Sequence, residues 1–244
     1  MARRLADVPP VVFSGPAGSP EAIVDVPSDS RQSISVELSG PDGMQPVRAL
    51  TAAAGAGTLV RLVIPESTAA GSYDAVDQVG DLRYPGTVEV PEQTALEAVP
   101  STLDLVATDG VAPVRLTLVN TGNVPIEVRG AYAFGLLEER ALEAAIGAGL
   151  RDTARGVDRL GRMADEVADR HAGLIRVAVT EGAGTLEPDQ RVQVVGELRL
   201  GDKAQADHRY TGTWPIGPLR LAVAVRVSAA PVTRPRRAKS KGAK

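Results

Sequence analysis

Cysteine is absent from the 244-residue chain. That removes disulfides, thiolate metal ligands and a cysteine nucleophile without naming a compartment. Aromatic residues are almost as scarce, at two Phe, four Tyr and one Trp. The core must therefore be aliphatic, and the ring platforms that stack bases or sugars have little to be built from. Neither of the two histidines, His171 and His208, sits in a nucleophile or metal-ligand spacing. The run Asp165-Glu-Val-Ala-Asp-Arg-His171 holds metal-capable groups, but Glu166 lies five residues before His171, where an inward-facing helical pair needs three. There is no Gly-Lys-Ser/Thr phosphate loop, and Gly182-Ala-Gly184 lacks the third glycine of a dinucleotide fingerprint. These absences predict a protein that is not an enzyme and uses no cofactor or metal.

Long apolar runs are also missing. No stretch approaches the roughly 18 apolar residues of a membrane-spanning helix, so no membrane span is expected. Near the start, Arg3 and Arg4 are followed by Asp7, Pro9 and Pro10 where a secretory signal needs an unbroken apolar segment, which predicts a cytoplasmic protein. The formal net charge of −3 does not mark the whole chain as a binder of nucleic acid or membrane surfaces.

What is present is an internal repeat. Ser72 to Val90 and Arg209 to Val227 align without a gap, sharing Tyr73/Tyr210, Gly80/Gly217, Leu82-Arg83/Leu219-Arg220, Val88/Val225 and Val90/Val227. Upstream of each, Gly-Ala-Gly-Thr-Leu occurs once, at Gly55–Leu59 and Gly182–Leu186. Ile34, Val36 and Leu38 alternate with polar residues, as do Val114, Leu116 and Leu118, each reading as a strand with one buried face. The runs Leu59 to Ile64 and Val192 to Leu200 end in turns that lead to Tyr73 and Tyr210. Turn signals at such spacing predict a mainly β chain of two immunoglobulin-like β-sandwiches, the second with a long α-helical insertion. A tyrosine near the start of a late strand is similar to the tyrosine corner of immunoglobulin-like folds, which predicts structural roles for Tyr73 and Tyr210.

The expected division is an arm at 1–9, a first sandwich at 10–92, a linker at 93–100 and a second sandwich at 101–230, followed by a basic tail at 231–244. Within the second sandwich, Leu116-Thr-Leu-Val-Asn-Thr-Gly-Asn-Val-Pro-Ile-Glu-Val128 resembles bacterial immunoglobulin-like modules of the pilus-chaperone and major-sperm-protein kind. There a strand enters a turn made of Asn120-Thr-Gly-Asn123 and a second strand returns after a proline. The resemblance implies a fold. It does not carry chaperone activity, because no basic cleft for a subunit carboxylate can be placed.

Leu118 to Gly182 is much longer than its counterpart Leu38 to Gly55, and the added stretch at 136–173 is rich in Ala, Leu, Glu and Arg without proline. Leu142, Ile146, Leu150, Thr153, Val157, Leu160, Ala164 and Val167 recur at spacings of three and four, a heptad-like stripe. An unbroken helix of this length would reach roughly 50 Å and overhang its sandwich. Gly147 and Gly149 offer a place to break it into a hairpin whose arms pack on the chain's own sandwich, so self-packing and an interface both stand as readings of the stripe. The tail residues Arg234, Arg236, Arg237, Lys239, Lys241 and Lys244 include no acid nearby and are expected to be disordered. They are the one feature offering contact to nucleic acid or an acidic surface. The expected function is that of a structural scaffold or adaptor, with the helix meeting a protein partner or another copy. The alternatives are ligand recognition by sandwich loops, for example of a cell-surface polymer, and an accessory subunit of an enzyme complex.

Overall fold

The computed structural model describes residues 10–24, 34–40, 43–55, 57–79, 82–151 and 157–228. The first module contains β1 (Val11–Phe13), β2 (Glu21–Val24), β3 (Ile34–Gly40), β4 (Gly43–Ala54), β5 (Gly57–Val63), β6 (Gly71–Val79) and β7 (Leu82–Val90). Their order is β1-β7-β6-β3-β4-β5-β2. β4 is long enough to serve two sheets. Its first part pairs with β3 (Val36↔Val47) and its later part with β5 (Leu50↔Arg61). The β7-β6-β3 layer and the β4-β5-β2 layer meet over one core, in which Phe13, Val36 and Val88 from one side pack with Val24, Val60 and Leu62 from the other. This is an immunoglobulin-like arrangement. The alternation of buried and exposed residues along β5 is what gives that layer one apolar face.

The second module repeats the plan with β8 (Leu96–Val99), β9 (Thr102–Ala107), β10 (Val111–Asn120), β11 (Ile126–Val128), β12 (Ala131–Glu138), β13 (His171–Glu181), β14 (Gly184–Leu186), β15 (Arg191–Arg199), β16 (Arg209–Ile216) and β17 (Leu219–Val227). Again one long strand, β13, pairs with β12 through Phe134↔Ile175 and with β15 through Val177↔Leu198. Again the last strand takes an early strand in parallel: β17 with β9, as β7 with β1. The second core is separate and centres on Trp214, Leu116, Leu118, Ile175, Leu198 and Leu221.

Three expectations need correction. The single long helix over 136–173 is not formed. β12 runs on to Glu138 and β13 begins at His171, leaving α1 (Ala141–Arg151) and α2 (Val157–Asp169) between them. Leu136 belongs to the sandwich, fully buried on β12, and α1 continues through Gly147 and Gly149 rather than breaking there. A lone helix of that length would leave every face wet, whereas two short arms cover each other. Second, Ile34–Leu38 and Val114–Leu118 are not equivalent strands. β3 pairs with β4 and β6, whereas β10 pairs with β8 and β15. Period-two alternation identifies a strand but not its place in the sheet. Third, Leu96–Val99, inside the expected linker, is β8 and pairs with β10.

The two Gly-Ala-Gly-Thr-Leu copies both follow the long shared strand but then diverge. Gly57–Leu59 enters β5 directly, while Gly184–Leu186 forms β14 against β11 before the chain reaches β15.

Candidate interaction surface

In the first module β3 and β4 are joined across two residues, 41 and 42; in the second, the equivalent β12 and β13 are joined by α1 and α2. The junction is tied at its base. Glu138 N–H donates to the Arg170 carbonyl at 3.0 Å, and the Arg170 guanidinium bonds Glu138 at 2.8 Å and Glu166 at 2.7 Å. These two carboxylates raise the pKa of Arg170, that from Glu166 most, by favouring its charged form. Glu138 also lies 3.3 Å from His208, and Arg209 reaches Glu139 at 3.3 Å and Asp104 at 3.2 Å. Glu138, Glu139, His208 and Arg209, with Arg140, Asp207 and Arg226, line a charged crevice of about 530 Å³. Most of its charges are already engaged with one another, which orients the hairpin's root.

α1 is helical by composition, with alanines and leucine throughout and Glu143 in its first turn, where a negative charge meets the positive end of the helix dipole. Its burial is the inverse of an ordinary surface helix. Ala141 and Ala145 are 0% and 1% exposed and Gly149 is buried with them, while Leu142, Ile146 and Leu150 are 63%, 43% and 70% exposed. Both sets recur every four residues, so one row of small residues faces inward and one row of large apolar residues faces water.

α2 carries a half-buried row made of Arg159, Met163, Glu166 and Val167, of which Arg159 and Met163 reach α1 at Gly149. Arg159 Nε donates to the carbonyl of Gly149 in the last turn of α1. A Cβ on Gly149 would stand 2.7 Å from both Cγ and Sδ of Met163, so the glycine is what lets the arms approach so closely. On the outer face, Leu160 is 66% exposed and Ala164 is exposed.

The sequence stripe is thus divided. Leu142, Ile146, Leu150 and Leu160 lie at the surface together with Ala164, and Val167 is half-buried. Val157 is in α2, its side chain outside the described residues, and Thr153 and the tail from Arg234 to Lys244 lie outside them altogether. Sequence reasoning missed the inward role of Arg159 and Met163, which no apolar period marks.

His171 is placed by packing. Its Nδ1 accepts the Gly173 N–H at 3.0 Å and its ring lies over Gly135, where a Cβ would come within 2.5 Å of Nε2. Among the described residues, no group of three or more His, Asp or Glu side chains is arranged to hold a metal ion. No helix among them is long and apolar enough to cross a membrane.

The turn Asn120–Asn123 has a second partner that the sequence did not suggest. Asn123 Oδ1 accepts the Gln93 N–H at 2.7 Å and its Nδ2 donates to the Pro91 carbonyl at 2.8 Å. The backbone N–H groups of Thr121 and Asn123 donate to Ala95 and Gln93. Asn120, fully buried, holds the turn's shape by donating to Val124 and Leu186 and accepting from Gly122 N–H. The linker therefore belongs mechanically to the second module from Pro91 onward.

No family model matches the chain, and neither does any curated protein. Among solved structures, it is similar to a protein of unknown function from Porphyromonas gingivalis W83, at 9% identity over 90% of this chain and 96% of that one, with a TM-score of 0.25. A titin fragment matches at 8% identity over 90% and 96%, TM-score 0.35. Domains 4 and 5 of the S-layer protein SbsC match at 12% identity over 85% and 80%, TM-score 0.28. The assignment of the fold rests on strand order and the two cores, not on these likenesses.

Proposed function

We propose that this chain is a non-enzymatic structural or adaptor protein, in which two sandwiches set a spacing and the helical hairpin supplies the contact that builds an assembly. The observation that carries this reading is the inverted burial of α1. Holding Leu142, Ile146 and Leu150 in water while alanines and a glycine fill the inner face gives up burial worth about 1.5–3 kcal/mol per large apolar side chain, a cost that a partner's surface would recover. The fixed root at Glu138 and Arg170 supports it by giving the hairpin a defined direction. The test replaces residues 139–170 with a two-residue connection, as short as that between β3 and β4, then compares the mass of the native particle with that of the wild type. Assembly lost while both sandwiches stay folded is expected; an unchanged particle mass would sink the proposal.

A second reading, ligand recognition at the sandwich end, has one observation in its favour. A crevice of about 620 Å³ beside the linker is lined by Thr94, Tyr132, Pro215, Pro218, Arg129 and Arg220 among others. Only one aromatic ring lines it, and Arg220 is spent on the carbonyls of Gly217 and Leu219, so the hairpin remains the stronger candidate.

A further inference from the structure

We infer that the occupant of the exposed α1 stripe is the same stripe of a second copy of this chain, the two α1 helices lying antiparallel about a two-fold axis at Ile146 and Gly147. The inference rests on the reading of the hairpin as the assembly surface and goes beyond it by naming the partner and the register.

A two-fold contact demands a self-complementary surface, each residue meeting its symmetry mate across the axis. The α1 stripe has this property. Leu142 and Leu150 stand four positions to either side of Ile146, so a two-fold axis between the levels of Ile146 and Gly147 sets Leu142 of one copy within one residue rise, about 1.5 Å, of Leu150 of the other and Ile146 beside its own mate. The order of charges along the helix is symmetric as well, Glu143 and Arg151 standing four positions to either side of Gly147, one position from the centre of the apolar row. Antiparallel docking brings unlike charges together at both ends and opposes the helix dipoles; parallel docking would pair Glu with Glu and Arg with Arg. At the centre, Gly147 removes the side chain that would hold the backbones apart.

Size agrees with a modest dimer. The three exposed side chains present roughly 300 Å² of apolar surface per chain; with non-polar atoms making up about 60% of an interface, the pair buries on the order of 1,000 Å², where specific association begins. A contact at this low end of the size range fits a weak, reversible dimer rather than an obligate one.

Sedimentation equilibrium of the full chain tests this, with Trp214 emission reporting that the second module stays folded. The wild type should dimerise, and Ile146→Asp should weaken it at least about tenfold. Glu143→Arg and Arg151→Glu should each weaken it alone, since each places like charges together at both ends. Mixed in equal amounts, the two variants should recover the wild-type association, because both ends of the mixed pair then match. A wild type that stays monomeric to several hundred micromolar overturns self-docking. A dimer that Ile146→Asp does not disturb overturns the site, and a mixture that fails to recover overturns the antiparallel register. A monomeric wild type whose native particle still depends on the hairpin overturns this inference while leaving the broader reading in place.

Discussion

Gly149 of α1 and Met163 of α2 meet where the two arms lie closest, the glycine leaving the space that the thioether side chain fills. Gly149→Leu is expected to force the arms apart at a cost of about 1–3 kcal/mol, and Met163→Ala in the same chain to return part of it. Amide exchange along α1 reads the loss, and a double-mutant cycle without coupling would show that the two residues do not share this contact.

The linker is held by side-chain and backbone bonds from one turn, so it should be loosened from that turn alone. Asn123→Ala should raise exchange at the amides of Gln93 and Thr121 by about tenfold, in line with the loss of bonds worth roughly 1 kcal/mol each. Gly122→Ala should do more, because its Cβ would come within 2.2 Å of the Gln93 carbonyl oxygen. Both modules should remain folded. Exchange no faster than in the wild type would count against the clamp.

Tyr73 and Tyr210 occupy the same rung of their modules, opposite Val88 and Val225. Each hydroxyl ties back to the preceding loop: Tyr73 donates to the Ala69 carbonyl at 2.6 Å, and Tyr210 accepts the Gln205 N–H at 2.9 Å. Both valines are fully buried, but Tyr73 is only half-buried where Tyr210 is 3% exposed. Phenylalanine at either position should cost about 1 kcal/mol in chemical denaturation, more at 210 than at 73. Equal and negligible losses would remove the corner role.

Trp214 is the chain's one tryptophan and lies wholly inside the second core, edge-on to Tyr132 at 5.3 Å and stacked on Phe134 at 6.1 Å. Its emission should therefore ignore the first module. Val36→Asp, which puts a charge into the first core, should leave the emission maximum in place, and Leu221→Asp should move it to the red. A red shift on Val36→Asp would mean that the modules unfold as one.

Tyr132 adds a pH dependence to the same core. Burial raises its phenol above the ordinary value near 10, against a smaller downward pull from the Arg129 N–H and charge. The folded state thus prefers the neutral phenol. That contribution is present in full below the unfolded pKa and is lost as pH climbs through the raised folded value. Thermal melts from about pH 8 to about pH 12 should show this alkaline loss in the wild type and a smaller one in Tyr132→Phe. Identical curves would sink the assignment.

The repeat was legible because residues such as Tyr73, Val88, Tyr210 and Val225 mark ladder positions that a strand cannot shift without turning its faces over. The apolar row Leu142-Ile146-Leu150 was legible for the same reason, at the helical period. Its continuation was not. The period carried Leu150 on to Val157 as though one helix ran through, while the true inner face of α2 includes Arg159, a charged residue that serves as a cap on the Gly149 carbonyl. Nor could the Asn123 clamp be read, since an asparagine in an Asn-Thr-Gly-Asn turn has a sufficient local reason to be there and its distant partners Pro91 and Gln93 leave no mark on spacing.

The place of the hairpin also sets the order in which the chain assembles. β3 and β4 close across a two-residue connection, so their ladder forms with little loss of chain freedom. β12 and β13 must meet across the whole of α1 and α2, and each doubling of an unstructured loop adds about 0.6 kcal/mol to closure. Helices form and pair within about a microsecond to tens of microseconds, faster than sheets assembled from distant strands. When α1 folds back on α2 first, it draws Glu138 and Arg170 together and reduces the long connection to a short one. In the second module the hairpin is therefore a nucleus for the sandwich as well as a projection from it, and mutations that open the arms should slow the refolding of that module while leaving the rate of the first unchanged.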